Sequence, residues 1–366
     1  MENMVMSLAG VNPEFWKNKS VFLTGHTGFK GGWLALWLSS MGAKVTGYAL
    51  TPNTSPSLFE ALSLDSVLAT SHIANICDLD RLQSAVAACQ PEIVIHMAAQ
   101  PLVRYSYANP VETYMTNVMG TVNVLESIRK TDSVKATVVV TTDKCYENKE
   151  WVWGYRENEP MGGFDPYSNS KGCAELVTSA YRQSYFSSSA SINKVASARA
   201  GNVIGGGDWS EDRLIPDAIK AFEAGNTLMI RNPLATRPWQ HVLEPLSGYL
   251  ILAQSLFQDG EKFSSAWNFG PKDTDNRSVQ EVISTLCQQW GPDAKWQQDS
   301  SSQPHEAGLL KLDCSKASKQ LRWEPKWNLE TAIEKIIQWH KADLAKENMQ
   351  ALTLKQIDQY IHTNIS

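Results

Sequence analysis

The sequence predicts an α/β fold: a doubly wound parallel sheet with a second, smaller, interleaved domain for substrate. Three observations predict it. From Ser20 onward, short apolar runs alternate with longer amphipathic stretches, the pattern of βαβ units. A glycine-spaced turn joins the first apolar run to the first helical stretch. After Ala200 the rhythm changes to longer loops with Gly, Trp and Pro, where a second lobe is expected. The main domain is accordingly placed at residues 1–199 with 238–270, and the second at 200–237 with 271–366. The return to the first lobe is expected because Glu244–Phe257 followed by Trp267–Phe269 reads as one more helix and strand.

The strands are expected at Val21–Leu23, Val45–Ala49, His72–Ile76, Ile93–His96 and Thr137–Val140. Each is short, apolar and rich in β-branched residues, as strands buried on both faces should be. The clearest helix is expected from Pro110 to about Arg129. Asn109 is placed to cap it, Pro110 takes the first helical position, and Glu112 stands at the capping-box position. Its apolar stripe is Val111, Met115, Val118, Val122 and Leu125, suited to packing on the sheet or to a dimer interface.

The composition excludes several classes. With 366 residues, 43% hydrophobic and 19% charged, the chain can bury a large core, and its 22 Gly and 16 Pro are spread rather than clustered. Net charge is −5 and no block of Lys or Arg supplies the stripe that nucleic acid or an anionic membrane needs. The six cysteines are far apart and form no CxxC pair, and His26, His241 and His305 share no ligand spacing. Reduced thiols and no metal are expected. Met1–Lys19 carries Glu2 and Glu14 without a long apolar core, and no later stretch reaches the ~18 apolar residues of a spanning helix. A cytoplasmic protein is expected.

Directly after the first strand comes Thr24-Gly25-His26-Thr27-Gly28-Phe29-Lys30-Gly31, running into the helical stretch Gly32–Leu38. Gly25 permits the tight turn, Gly28 lets a pyrophosphate approach the backbone, and Gly31 lets helix and strand pack closely. The helix N-terminus then presents free N–H groups and a positive dipole end to phosphate. This is the arrangement of a Rossmann-like dinucleotide site. The second strand ends in Ala49-Leu50-Thr51-Pro52-Asn53, with no carboxylate for the adenosine ribose and no cation for a 2′-phosphate. NAD is therefore the expected cofactor, held less tightly than usual. Asp78 suits either the adenine amino group or a helix cap. Ala98, Ala99 and Gln100 close the fourth strand with small residues that permit close cofactor approach.

Tyr167 and Lys171 stand four residues apart, so on a helix they share a face. A phenol is a poor base at neutral pH, but the Lys171 cation and an oxidised nicotinamide both favour phenolate. Tyr167 can then accept a hydroxyl proton. The fifth strand ends in Thr141-Thr142-Asp143-Lys144, at the carboxyl edge where open parallel sheets place their chemistry.

At these residues the chain resembles the extended short-chain dehydrogenase/reductases, in their NAD-dependent nucleotide-sugar epimerase/dehydratase group. Over most of its length it is similar to the bacterial CDP-glucose 4,6-dehydratase family. The resemblance is carried by Thr24–Leu34, by Thr142-Asp143-Lys144 with Cys145-Tyr146-Glu147-Asn148, and by Asp165-Pro166-Tyr167 through Lys171. The more specific matches are Arg199-Ala200-Gly201-Asn202-Val203-Ile204-Gly205-Gly206-Gly207-Asp208-Trp209 and Arg237-Pro238-Trp239-Gln240-His241-Val242. It implies a hydro-lyase in deoxysugar biosynthesis for bacterial surface polysaccharide. Tyr167, helped by Lys171 and Thr142, would oxidise C4 of the sugar. Lys144 would remove the C5 proton, Asp143 would protonate the departing C6 hydroxyl, and the hydride would return to C6. Asp143 then needs a raised pKa and Lys144 a lowered one, both of which burial supplies. Dehydratases of dTDP-glucose carry Glu where this chain has Lys144.

The resemblance adds Asn117 and Thr141 to the cofactor set, and implies a homodimer through paired helices, or a homotetramer. On the substrate side, a nucleoside diphosphate calls for local arginines, and Arg199, Arg213, Arg231 and Arg237 lie in the right region. Arg237 is favoured for the diphosphate, with Asn202 as a polar contact, Arg104 and His241 at the pocket or its walls, and a surface ion pair as the other reading of any one arginine. Trp151, Trp153 and Tyr155 suit either a cover over the sugar or packing of their own loop. Two other functions are compatible: an epimerase, dehydratase or oxidoreductase on a dTDP-, GDP- or UDP-linked sugar, of which the epimerase and the simple oxidoreductase have no use for the Asp143-Lys144 pair, and a regulatory protein on a spent scaffold, against which the retained Tyr167 and Lys171 stand.

Overall fold

The structure is a computed structural model that describes residues 10–187, 191–299 and 309–364; His305 lies outside them. Thirteen strands are present among these residues: β1 Ser20–Thr24, β2 Lys44–Ala49, β3 Thr70–Ile73, β4 Ile93–His96, β5 Ala136–Val140, β6 Lys194–Arg199, β7 Val203–Ile204, β8 Leu228–Ile230, β9 Thr236–Pro238, β10 Gln240–His241, β11 Ala266–Asn268, β12 Asn276–Ser278 and β13 Trp296–Gln298. Seven of them form one sheet in the order β11-β6-β5-β4-β1-β2-β3, every neighbouring pair parallel. Strand order reverses beside β1, so the carboxyl ends of β1 and β4 open a crevice where doubly wound sheets bind ligands.

Four strands match the expected positions to within a residue at each end. The third does not: it pairs over Thr70–Ile73, two residues earlier than expected. As an edge strand, β3 carries little apolar signal of its own. Ala74 and Ile76, which suggested the later position, are buried in the core just beyond it. Strand β6 was not anticipated, because its Ser197 and Arg199 broke the apolar run. Both side chains donate to the Glu175 carboxylate, which is why a fully buried strand tolerates them.

The Pro110 helix is continuous to Arg129, but it contains a π turn at Met115–Met119. The expected cap is absent. The Asn109 side chain donates to the Tyr105 carbonyl, and Glu112 accepts from the Tyr105 hydroxyl at 2.7 Å. The extra residue of a π turn also rotates the helix face. The buried side is therefore Thr113, Asn117, Thr121, Val124 and Ile128, with Leu125 buried as expected, while Val111 is 76% and Met115 47% exposed.

One hydrophobic core lies on each face of the sheet. A third core joins Ile215, Ile219 and Phe222 to Val282, Ile283, Ile333 and Ile336, all from the segments expected to form the second lobe. The stretch from Trp339 to Tyr360, expected in that lobe, packs instead into the main core, with Tyr360 edge-on to Trp37 at 5.9 Å. All six cysteines are free thiols. Among the described residues no His/Cys/Asp/Glu group could hold a metal, and no helix is long and apolar enough to cross a membrane.

Candidate active site

The glycine loop is fastened to the sheet by Thr24. Its hydroxyl accepts from the Met97 and Ala98 amides and meets His96 Nδ1 at 2.7 Å, which locks the ends of β1 and β4 together. Gly25 turns with φ +81°, and a Cβ there would stand 2.8 Å from the Ala98 nitrogen. A Cβ on Gly31 would stand 2.0 Å from the Gly25 carbonyl oxygen. Above Gly28 only that same oxygen comes within 4 Å, at 3.5 Å. Gly28 begins the Phe29–Ser40 helix without any side-chain cap. A narrow glycine cradle under an uncapped helix N-terminus fits the pyrophosphate of a dinucleotide.

The other residues expected at the cofactor divide into groups. His26 turns inward: its ring packs on Gly47 of β2, meets Ser71 at 2.8 Å, and is pushed down to about 4 by burial. Thr27 donates to the Leu50 carbonyl at 2.9 Å, tying the loop to the end of β2. The Phe29 ring covers Gly205. Lys30 instead lines the cavity described below, where burial, then Lys171 and Arg213, bring its ammonium down to about 7. Asp78 caps the Leu79–Cys89 helix, accepting from the Arg81 amide at 3.1 Å.

Ala98 faces Gly25, with Ala99 half-buried beyond it. Gln100 exchanges two hydrogen bonds with the Asn117 side chain, at 2.8 and 3.0 Å. Asn117 sits in the π turn and also donates to Ser170 at 2.9 Å, so it joins the end of β4 to the helix of Tyr167 and Lys171. Thr141 donates to Glu175.

The Pro166–Tyr185 helix starts cleanly because Asp165 caps it and Pro166 occupies its first position. Tyr167 and Lys171 share its buried face, as expected. The Lys171 ammonium donates to the Val140 carbonyl at 3.3 Å, at the carboxyl end of β5. Thr142 caps the short turn Asp143–Cys145 and donates to Asp143 Oδ1 at 3.0 Å, and its hydroxyl also faces the Tyr167 phenol. Burial raises the Asp143 carboxyl, against the opposing pull of Lys144, Thr142 and Arg237, as the acid role requires. The phenolate expectation is not met by the chain alone. Burial pushes Tyr167 up to about 12, because a buried phenolate loses more hydration than Thr142 and Arg213 restore.

Thr142, Asp143, Lys144 and Tyr167 open onto one cavity of about 280 Å³. Asn202, Arg213, Arg231 and Arg237 line it as well, which brings together residues from the segments expected in the two domains. Arg237 is 5% exposed and donates to the Thr236 carbonyl. Arg213 pairs with Asp208 at 3.2 Å, and Arg231 with Asp212 at 3.5 Å. Asn202, at φ +47°, points its amide at Asp143 Oδ2 over 3.4 Å.

Three expected substrate residues lie elsewhere. Arg104 does not line the cavity and is linked to it through its 3.1 Å ion pair with Asp212. His241 is fully buried between Trp33 and Trp327, with ring centroids 5.8 and 4.9 Å away, because the apolar layer beneath β10 takes in its side chain. Arg199 is buried too, paired with Glu175 at 2.8 Å. The Trp151 loop stacks on itself and on Tyr155, outside the cavity.

Sequence reasoning missed Glu175. It lies one turn beyond Lys171, and the spacing Tyr167, Lys171, Glu175 places all three on one stripe, which was the available signal. Burial acts to raise its carboxyl, but Arg199 and the hydroxyls of Thr141 and Ser197 outweigh it and hold Glu175 below the usual range.

Comparison with known proteins agrees with this geometry. Residues 22–336 match the family model described as GDP-mannose 4,6 dehydratase. A CDP-glucose 4,6-dehydratase of Salmonella typhimurium is 55% identical over 96% of this chain and 98% of its own length. A dTDP-glucose 4,6-dehydratase of Haemophilus influenzae is 25% identical over 73% of this chain and 81% of its own. Among solved structures, a UDP-glucuronic acid 4-epimerase from Bacillus cereus superposes with a TM-score of 0.75 at 22% identity, covering 88% of this chain and 98% of that one. A dTDP-glucose 4,6-dehydratase from Bacillus anthracis superposes at 0.73 and 21%, covering 91% and 99%. The shared fold, the matched family model and the extent of identity together establish that the chain belongs to the extended short-chain dehydrogenase/reductases, and among them to the CDP-glucose 4,6-dehydratase family.

Proposed function

We propose that the chain is an NAD-dependent lyase that converts CDP-D-glucose to CDP-4-dehydro-6-deoxy-D-glucose and water. The observation that carries the reading is that Tyr167, Asp143 and Lys144 open onto a single cavity that arginines also line. An epimerase or plain oxidoreductase needs the first residue and has no task for the other two. The 55% identity to a CDP-glucose 4,6-dehydratase supports the choice of nucleotide.

The glycine cradle Gly25–Gly31 would hold NAD, with Ala98 and Ala99 against it. When bound, NAD supplies the redox chemistry, taking hydride from C4 and giving it back at C6. The chain's own residues do the rest. Tyr167 accepts the C4 hydroxyl proton, with the Thr142 hydroxyl facing its oxygen and the Lys171 charge at the end of β5. The ketone formed at C4 acidifies the C5 hydrogen, and Lys144 takes that proton. Asp143, whose buried carboxyl favours the protonated form, delivers its proton to the C6 hydroxyl as water leaves. Arg237 and Arg213 meet the diphosphate, and the second lobe holds the nucleoside.

The exposed Val111, Met115 and Met119 on one helix, with Leu176 and Tyr185 on the catalytic helix, form an apolar face suited to a second copy of the chain. The free cysteines accord with a cytoplasmic site of action in deoxysugar formation. A panel of CDP-, dTDP-, UDP- and GDP-linked hexoses, followed by the absorbance of 4-keto product, tests the reading. Turnover confined to CDP-glucose is expected; turnover of another nucleotide sugar with CDP-glucose untouched would replace it.

A further inference from the structure

The cavity built for a diphosphate carries four carboxylates besides its arginines, and three of them have partners. Asp143 is bonded to Thr142, Asp208 to Arg213, and Asp212 to Arg104 and Arg231. Asp217 lines the same cavity, yet among the described residues its carboxyl has no hydrogen bond or ion pair. It sits half-buried on the Leu214–Glu223 helix, which packs beside β8, and the charges nearest to it are Asp212 and Arg231. Apolar residues line the same cavity: Ile215 from the same helix, Leu228 and Ile230 of β8, and Val279.

A carboxylate with no partner in the chain, in a site that must receive a polyanion, is free to accept a donor from the ligand. A CDP-hexose offers donors in three places: the sugar hydroxyls, the ribose hydroxyls and the exocyclic amine of cytosine. The hexose is committed to Tyr167, Asp143 and Lys144. Asp217 together with the apolar residues of the same cavity matches a flat base with an amine on its edge. Carboxylates accept from the cytosine amine, whereas uracil and thymine place a carbonyl oxygen at that position and would be repelled.

We propose that Asp217 is the residue that selects the base, its carboxylate accepting a hydrogen bond from the cytosine amine and repelling the carbonyl of uracil or thymine. This rests on the reading of the chain as a CDP-sugar enzyme and names the specificity residue of that site. Burial, then the Asp212 carboxylate, raise Asp217 to about 6, as expected of a carboxylate that lacks its donor until ligand arrives.

The test is equilibrium binding of CDP and UDP to the NAD-loaded protein and to its Asp217→Asn form. The unaltered protein should prefer CDP by about tenfold to a hundredfold. In Asp217→Asn, whose amide can donate to a carbonyl, that preference should shrink to near unity or invert; Asp217→Ser provides a second variant if the first does not fold. An unchanged CDP/UDP ratio in the folded variants would overturn the inference and leave the dehydratase reading standing. Equal weakening of both nucleotides would assign Asp217 to the ribose instead, and also overturn it. If the unaltered protein neither prefers CDP nor turns over CDP-glucose, the functional reading itself fails.

Discussion

The Asp143 carboxylate occupies the space that a side chain on Gly201 would need: a Cβ on Gly201 would stand 1.8 Å from Asp143 Oδ2. Asp143, the proposed acid, is thus positioned by the Gly201-Asn202 turn as well as by Thr142 beside it in the chain. Gly201→Ala should displace the carboxyl and lower kcat on the order of 100-fold, the usual cost of misplacing a reacting group by about 1 Å. Product formation by a variant of unchanged thermal midpoint checks this, and an unaltered kcat would show that Asp143 can move without consequence.

Lys171 gives the reaction a pH limb. Burial lowers its ammonium to about 8, against the pull of Glu175. Below that pH the cation persists; above it the neutral amine predominates and its charge is lost from the end of β5. The value of kcat/KM should therefore fall as pH rises past about 8, by up to tenfold per unit for a single proton. In Lys171→Arg, a side chain that stays charged, the limb should move to higher pH. A limb that remains in place belongs to another group.

Glu175 and Arg199 form a buried pair at 2.8 Å that also holds Thr141, Ser197 and Tyr146. Removing one charge leaves the other uncompensated in a low-dielectric interior. Glu175→Gln should cost about 3–5 kcal/mol of stability, read from urea unfolding. A change below about 1 kcal/mol would mean that the pair relaxes onto water.

His241 belongs to the core, not to the substrate. Its ring lies between Trp33 and Trp327, and burial lowers its pKa to about 3, so it stays neutral. His241→Ala should lower stability by about 2–4 kcal/mol through the cavity it leaves, with the KM for nucleotide sugar unchanged. A raised KM at unchanged stability would return the residue to the pocket wall.

The parts of the molecule that obey local rules were legible in the sequence. The glycine loop, the strands buried on both faces and the stripe of Tyr167 and Lys171 each follow from spacing, because period and backbone freedom set them. What failed depended on tertiary context. The edge strand β3 carried its apolar signal beyond its paired residues, and the π turn at Met115–Met119 turned Val111 and Met115 outward from a stripe that 3.6-residue spacing had assigned to packing or to a dimer interface, while Leu125 stays buried. Arginines were indistinguishable by sequence: Arg237 and Arg213 reach the cavity, whereas Arg199 is consumed by Glu175, a partner whose role became visible only in three dimensions. His241 failed for the same reason, since proximity to a binding segment does not fix which way a side chain on a short strand points.

The central claim is that Lys144 takes the C5 proton of a sugar already oxidised at C4. The direct measurement is turnover of CDP-glucose with catalytic NAD in deuterated water, read by mass and NMR. A 4-keto-6-deoxy product bearing solvent deuterium at C5 is predicted for the unaltered chain, with that exchange lost in Lys144→Met. Sugar recovered unchanged, or full turnover by Lys144→Met, would contradict the account.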